Sequence, residues 1–311
     1  MSESSPVGPL RIAGLHLDSN LVLAPMAGFT NLAFRSIVKR IGGCGLVWSE
    51  MVAALAQGGV RHDARFAAQV AHLPDERPLA MQVYGREPGP CAALAAALVE
   101  AGAAAVDLNC GCPVRKAKEA GCGVALMREP ARVATIIAAM RAAVRTPLGV
   151  KIRLGFDAGQ RNGVEVARAA VDAGADFVCV HLRTGEHKHA GDPDFAGLAE
   201  VRAAVRVPLI ANGSLDTPAR VRHAISDLGA DAVMIGRSAC ADPWIFRDLT
   251  VVLSGGTPQP PGLAERRRLL HEHYALLCRL HDEVHATRIM RKYAHLYTQG
   301  LPGVRAFRNR F

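Results

Sequence analysis

The sequence predicts an α/β fold: a (β/α)8, or TIM, barrel over residues 1–246, then a small all-helical C-terminal domain over 247–311. Three observations predict it. Eight short, β-branched apolar runs recur between residues 21 and 236. Ala-rich stretches of helical character separate most of them. After about residue 246 the pattern changes, and SGGTPQPPG (254–262) has the composition of a linker.

The runs are LVLAPM (21–26), GLVWSE (45–50), LAMQVY (79–84), AAVDLN (104–109), LGVKIR (148–153), FVCVH (177–181), PLIANG (208–213) and DAVMIG (231–236). Their nearly continuous apolar character is that of parallel strands covered on both faces. Between them lie PCAALAAALVEAG (90–102), PARVATIIAAMRAAV (130–144) and GVEVARAAVDAGA (163–175). Gly102 and Gly174 suit the left-handed position after a helix, and Pro90 and Pro130 suit a first turn. A doubly wound sheet would need G-x-G-x-x-G straight after an early strand. GCGVAL (121–126) follows a loop instead. Beyond the linker, AERRRLLHEHYALLCRLHDEV (264–284) reads as one helix with Leu270, Tyr274, Leu277 and Val284 on a stripe. ATRIMRKYAHLYTQG (286–300) reads as another, ending at Gly300.

Half of the 311 residues are apolar, enough for a large core. No uninterrupted apolar run reaches 18 residues, so no membrane span is expected. The start, MSESSPVGPLRI, lacks a basic and then apolar export signal. A cytoplasmic, monomeric protein with reduced thiols is the expectation. The formal net charge is +9, and it is uneven. Residues 247–311 hold 11 Lys and Arg against 5 Asp and Glu, a net of +6, which leaves +3 for the rest. Such a patch suits a polyanionic partner, nucleic acid first. A solvated basic helix face is the bland alternative.

Active sites of such barrels lie at the C-terminal strand ends. Collected there are Glu50, Gln82, Asn109, Lys151, Arg153, His181, Arg183, Asn212 and Arg237. Cations and amides dominate, with one carboxylate. That excludes a glycosidase pair and a carboxylate-rich Mg²⁺ site. It suits an anionic, planar, hydrogen-bonding ligand that carries a phosphate. ANGS (211–214) and MIGRSA (234–239) end the last two strands, where barrel phosphate sites are commonly built. Gly213 and Gly236 allow close backbone approach, and Arg237 adds charge. Such a seat fits FMN and sugar phosphates alike.

The motifs APMAGFTNLAFR (24–35), SEM (49–51), MQVYG (81–85), DLNCGCP (107–113), KIRLG (151–155), HLRTGEHKHAGDPDF (181–195), ANGSLDT (211–217), DAVMIGRSACADPWIF (231–246) and RIMRKYAHLY (288–297) together resemble the tRNA-dihydrouridine synthase family of bacteria, nearly end to end. The resemblance implies an FMN-bound barrel with a helical tRNA-binding domain. It implies reduction of the C5–C6 double bond of a uridine in tRNA, with NADPH as reductant. Carried over by position, Pro25 and Met26 lie against the flavin ring, and Gln82, Lys151 and His181 contact it. Asn212, Gly213, Gly236 and Arg237 cradle its phosphate. Asn109 and Arg183 face the substrate, and Cys112 is the catalytic acid. Arg266, Arg267, Arg268, Arg288, Arg291 and Lys292 form the RNA platform, although Arg291 also suits docking on the barrel.

The implied chemistry needs an acid at uracil C5, opposite the flavin. An ordinary thiol, with pKa ~8.5, is mostly protonated at neutral pH and can donate. Cys110 and Cys122 read as apolar fillers. The chain departs from the family pattern at Asn31 (usually Asp), Gly185 (usually basic), His189 (usually Tyr), Phe195 (usually Trp) and Ser214 (usually Asp). The H-x-H pairs at 187–189 and 271–273 read as polar surface, with no metal site expected. Trp244 reads as packing. A small-molecule ene-reductase and an RNA-binding protein with an idle site are the competing readings.

Overall fold

The computed structural model describes residues 5–54, 60, 62–188 and 190–306. A hairpin comes first, with β1 (Leu10–Ile12) and β2 (Leu15–Leu17) antiparallel. Eight parallel strands follow: β3 (Leu21–Leu23), β4 (Val47–Ala53), β5 (Leu79–Tyr84), β6 (Ala105–Asn109), β7 (Leu148–Arg153), β8 (Phe177–His181), β9 (Leu209–Asn212) and β10 (Ala232–Ile235). Each of the eight expected runs coincides with one of them, although β4 runs on past its run to Ala53. Neighbours in sequence are neighbours in the sheet, and β10 pairs with β3. A parallel bridge between Val22 and Leu46 closes the circle, with the Leu23 N–H donating to the Leu46 carbonyl at 2.9 Å. The fold is the expected (β/α)8 barrel.

Helices pack outside the sheet: α1 (Leu32–Ile41), α2 (Ala64–Val70), α3 (Pro88–Glu100), α4 (Arg115–Glu119), α5 (Pro130–Ala143), α6 (Gly163–Asp172), α7 (Phe195–Ala204), α8 (Pro218–Arg222), α9 (Arg237–Ala241) and α10 (Ile245–Leu253). Helix α10 runs across residue 246 and packs on α8 and α9. The irregular segment 254–262 then leads to α11 (Leu263–Leu280) and α12 (Glu283–Tyr297).

The sheet has two buried faces. Outward residues such as Leu21, Leu79, Val106 and Val150 join the helix-facing core. Inward residues Val22, Trp48, Ala80, Ala105, Phe177, Ile210 and Met234 join a second cluster, with Ile12 and Leu17 of the hairpin packed on it. The period of two therefore aims Gln82, Asn109, Lys151, Arg153, His181 and Asn212 into the barrel at its C-terminal end.

The C-terminal helices correct one expectation. Residues 264–284 are not one helix. The chain breaks after Leu280, and the Asp282 carboxylate accepts from the His285 N–H at 3.0 Å to start α12. Val284 thus leaves the expected stripe and is 63% exposed, while Leu269, His273, Leu276 and Leu277 form the buried face of α11. Helix α12 ends at Tyr297, three residues before Gly300.

Candidate active site

A cavity of about 440 Å³ opens at the C-terminal ends of the strands. Its wall contains Pro25, Met26, Gln82, Asn109, Cys112, Lys151, His181, Asn212, Gly213, Gly236 and Arg237. With Met51 of β4, residues from all eight strand ends and their loops meet in one space. Arg153 lines it as well. Glu50 does not. The β4–β5 register shifts between Trp48 and Met51, and Met51 reaches the cavity in its place. Phe29, inside the 24–35 motif but given no role there, is a further lining residue, as is Val114, which no motif signalled.

The floor is a chain of amides. Gln82 donates to Asp107 at 2.8 Å, and Asn109 donates to Gln82 at 2.6 Å. The Asn109 carbonyl oxygen accepts from the backbone N–H groups of Gly111 and Cys112 at 3.1 and 3.0 Å. Cys112 therefore sits on a loop tied at its base, and its own carbonyl accepts from the Val124 N–H at 3.0 Å. Cys112 is half-buried, whereas Cys110 and Cys122 are buried. Burial pushes the Cys110 thiol well above its ordinary pKa, as it does an apolar filler.

Lys151 donates to the Asn212 side-chain oxygen at 3.1 Å, and burial lowers its pKa. The Asn212 amide donates in turn to the Met234 carbonyl at 2.8 Å. Arg153 ties two loops together, donating to Gly111 O at 2.7 Å in one and to Thr184 O at 2.9 Å and Lys188 O at 2.7 Å in the other. Burial lowers its pKa to about 10. Arg183 stands beside the cavity, behind Gly213, rather than in its wall. It donates to Gly191 O at 3.1 Å and to Ser214 Oγ at 2.9 Å. Its Nη1 is buried without a hydrogen-bond partner.

The departures from the family pattern have local reasons. Asn31 caps α1, accepting from the Phe34 N–H at 3.0 Å as an aspartate would. A Cβ at Gly185 would lie 2.6 Å from Phe156 O and Val124 Cγ2, so no side chain fits there. Phe195 opens α7 and meets the His223 ring edge-on at 4.7 Å. His189 lies outside the described residues. His187 pairs with Thr184 Oγ1 at 2.7 Å, and His271 and His273 face apart, one lining a surface cavity and one buried. Among the described residues no three His, Cys, Asp or Glu side chains cluster as metal ligands.

The six basic C-terminal residues divide. Arg267, Arg268, Arg288 and Arg291 are exposed. Arg266 is half-buried and donates to Pro261 O at 3.3 Å and Tyr297 O at 3.0 Å, over the buried Trp244 ring. Lys292 is half-buried over the Phe29 ring, 4.4 Å from its centroid. No helix among the described residues is long and apolar enough to cross a membrane.

The family model described as dihydrouridine synthase matches residues 22–311. The chain belongs to the dihydrouridine synthase family. It is 38% identical to tRNA-dihydrouridine synthase B of Pseudomonas aeruginosa over 303 residues, covering 97% of this chain and 90% of that one. The same enzyme of Xanthomonas campestris is 38% identical over 304 residues, covering 97% and 89%. Among solved structures, morphinone reductase superposes with a TM-score of 0.58 at 15% identity, over 85% of this chain and 94% of that one. The last likeness speaks to the fold alone.

Proposed function

We propose that this dihydrouridine synthase reduces the C5–C6 double bond of a uridine in tRNA, with FMN as resident cofactor, NADPH as reductant and Cys112 as the acid. One observation carries the reading: a single cavity gathers Cys112, Asn109, Gln82, Lys151 and His181 with Gly213, Gly236 and Arg237. The residues present fit the cofactor. The cavity's volume is in the usual range for ligand sites. Lys151, Gln82 and Asn212 offer a cation and amides for a flavin ring, and Pro25 and Met26 an apolar wall. The unpartnered Arg183 Nη1 stands behind Gly213, and Arg237 lines the same cavity, so that both offer a phosphate donors.

A bound flavin supplies the redox chemistry, and the protein supplies position and electrostatics. Cys112 delivers a proton to uracil C5 and is refilled from solvent. The second amide hydrogen of Asn109 meets only Met51 Sδ, at 3.9 Å, an interaction that a uracil carbonyl oxygen replaces. The uridine leaves its stack to enter the cavity. Residues 247–311 form the tRNA-binding domain, with the exposed arginines on phosphates.

Purified protein is then yellow, and dihydrouridine disappears from specific tRNA positions when the gene is deleted in a strain without a second such enzyme. An unchanged dihydrouridine map would sink the reading. Cys112→Ala keeps flavin and NADPH oxidation but lowers tRNA reduction by about 10²–10⁴-fold, the usual contribution of a positioned acid. Full turnover by that variant would assign the acid elsewhere.

A further inference from the structure

We infer that Asp107 is a positioning residue: through Gln82 and Asn109, its carboxylate fixes the hydrogen-bond direction that holds the Cys112 loop. Asp107 is buried below the cavity and does not line it. Its Oδ1 accepts from Trp48 Nε1 at 2.7 Å, and its Oδ2 from Gln82 Nε2 at 2.8 Å. Gln82 Oε1 then accepts from Asn109 Nδ2 at 2.6 Å. Asn109 Oδ1 is left to accept the Gly111 and Cys112 N–H groups.

Both ends of this chain are donors that cannot reverse, an indole N–H and two backbone N–H groups. Each carboxamide passes the direction on by having one donor side and one acceptor side. Two donor ends joined through two amides require one group that accepts on both sides. A carboxylate at 107 is that group. A carboxamide there would set donor against donor, at the indole, at Gln82 or at the loop. Burial pushes the Asp107 carboxyl up to about 6, against the pull of Gln82, Trp48 and the Lys151 charge. The fold keeps a costly buried carboxylate where a neutral isostere would fit by shape.

The inference deepens the reading above, since the loop carries the proposed acid, but its test reads thiol reactivity and not turnover. Six of the eight cysteines are buried and Cys278 is exposed, so alkylation of a Cys278→Ser holoprotein reports on Cys112. In that background Asp107→Asn speeds alkylation of Cys112 by about tenfold, as a buried donor left unpaired frees the loop. Adding Gln82→Glu restores an acceptor on both sides one link further along, and returns the rate to that of the parent. If Asp107→Asn does not fold, recovery of folded protein by the double variant supports the inference equally. An unchanged rate in the single variant, or a double variant as perturbed as the single, overturns it. Loss of dihydrouridine formation without any change in alkylation would leave the proposed reaction standing and remove this role.

Discussion

Gly213 shows what a single residue does here. It has φ +116°, and a Cβ on it would lie 3.2 Å from Arg183 Nη1 and 3.3 Å from His181 Cε1. Gly213→Ala is expected to cost about 1–2 kcal/mol of stability, because L-residues resist positive φ. It also crowds the proposed phosphate seat. The checks are a lowered thermal midpoint and less visible absorbance per protein after purification; full flavin content would remove Gly213 from the cradle. Residues of this kind were legible because a strand end in a barrel is a known place. Gln82, Lys151, His181 and Asn212 needed only the period of two and the count of strands. Met51 and Glu50 exchanged places because a bulge in β4 resets that period, and no residue type announces it.

At the scale of elements, α11 and α12 dock on the barrel through a buried aromatic cluster. Phe34 of α1 stacks on Tyr293 at 5.4 Å, and His273 lies 4.4 Å from Tyr293. The Tyr293 hydroxyl donates to the Phe29 carbonyl, on the loop that lines the cavity. Burial, and then the Lys292 charge, lower the His273 pKa from 6.5 to about 3. The unfolded chain therefore takes up this proton first as pH falls. Stability is unaffected above about 6.5 and drops below it, by about 2 kcal/mol between pH 7 and 5. His273→Phe is expected to flatten that part of the thermal-midpoint profile while keeping the ring packing. An unchanged profile would place the acid sensitivity in another group. The sequence marked HEH as polar surface, yet helical spacing sends its two histidines to opposite environments. Only the partner helix decides which one is buried. The break at Asp282 was equally hidden, since the apolar stripe runs on across it.

For the whole molecule, the unequal charge is the feature with most consequence. Arg267 and Arg268 are exposed, whereas Arg266 and Lys292 are taken up in packing. Arg267→Glu with Arg268→Glu is expected to weaken tRNA binding and to shallow its salt dependence by roughly 0.7–0.9 for each phosphate no longer neutralised. Arg266→Ala should act on stability instead, with the salt slope unchanged. Binding titrations at several salt concentrations, beside melting curves, separate the two. A pair reversal without effect on the slope would move the RNA surface away from α11.

The sequence by itself determined the barrel and the ring of strand ends. Those follow from local pattern, alternation and strand count, whereas the role proposed for Cys112 came from the family resemblance. It did not determine which of six basic residues face solvent, that Arg183 stands behind Gly213, or that Asp107, Gln82 and Asn109 form one directed chain. Each depends on donors and acceptors brought together from elements far apart in sequence, as Trp48 meets Asp107 across 59 positions. Hydrogen-bond direction is a property of the assembled interior, where every buried donor must find an acceptor, and only the tertiary structure pairs them.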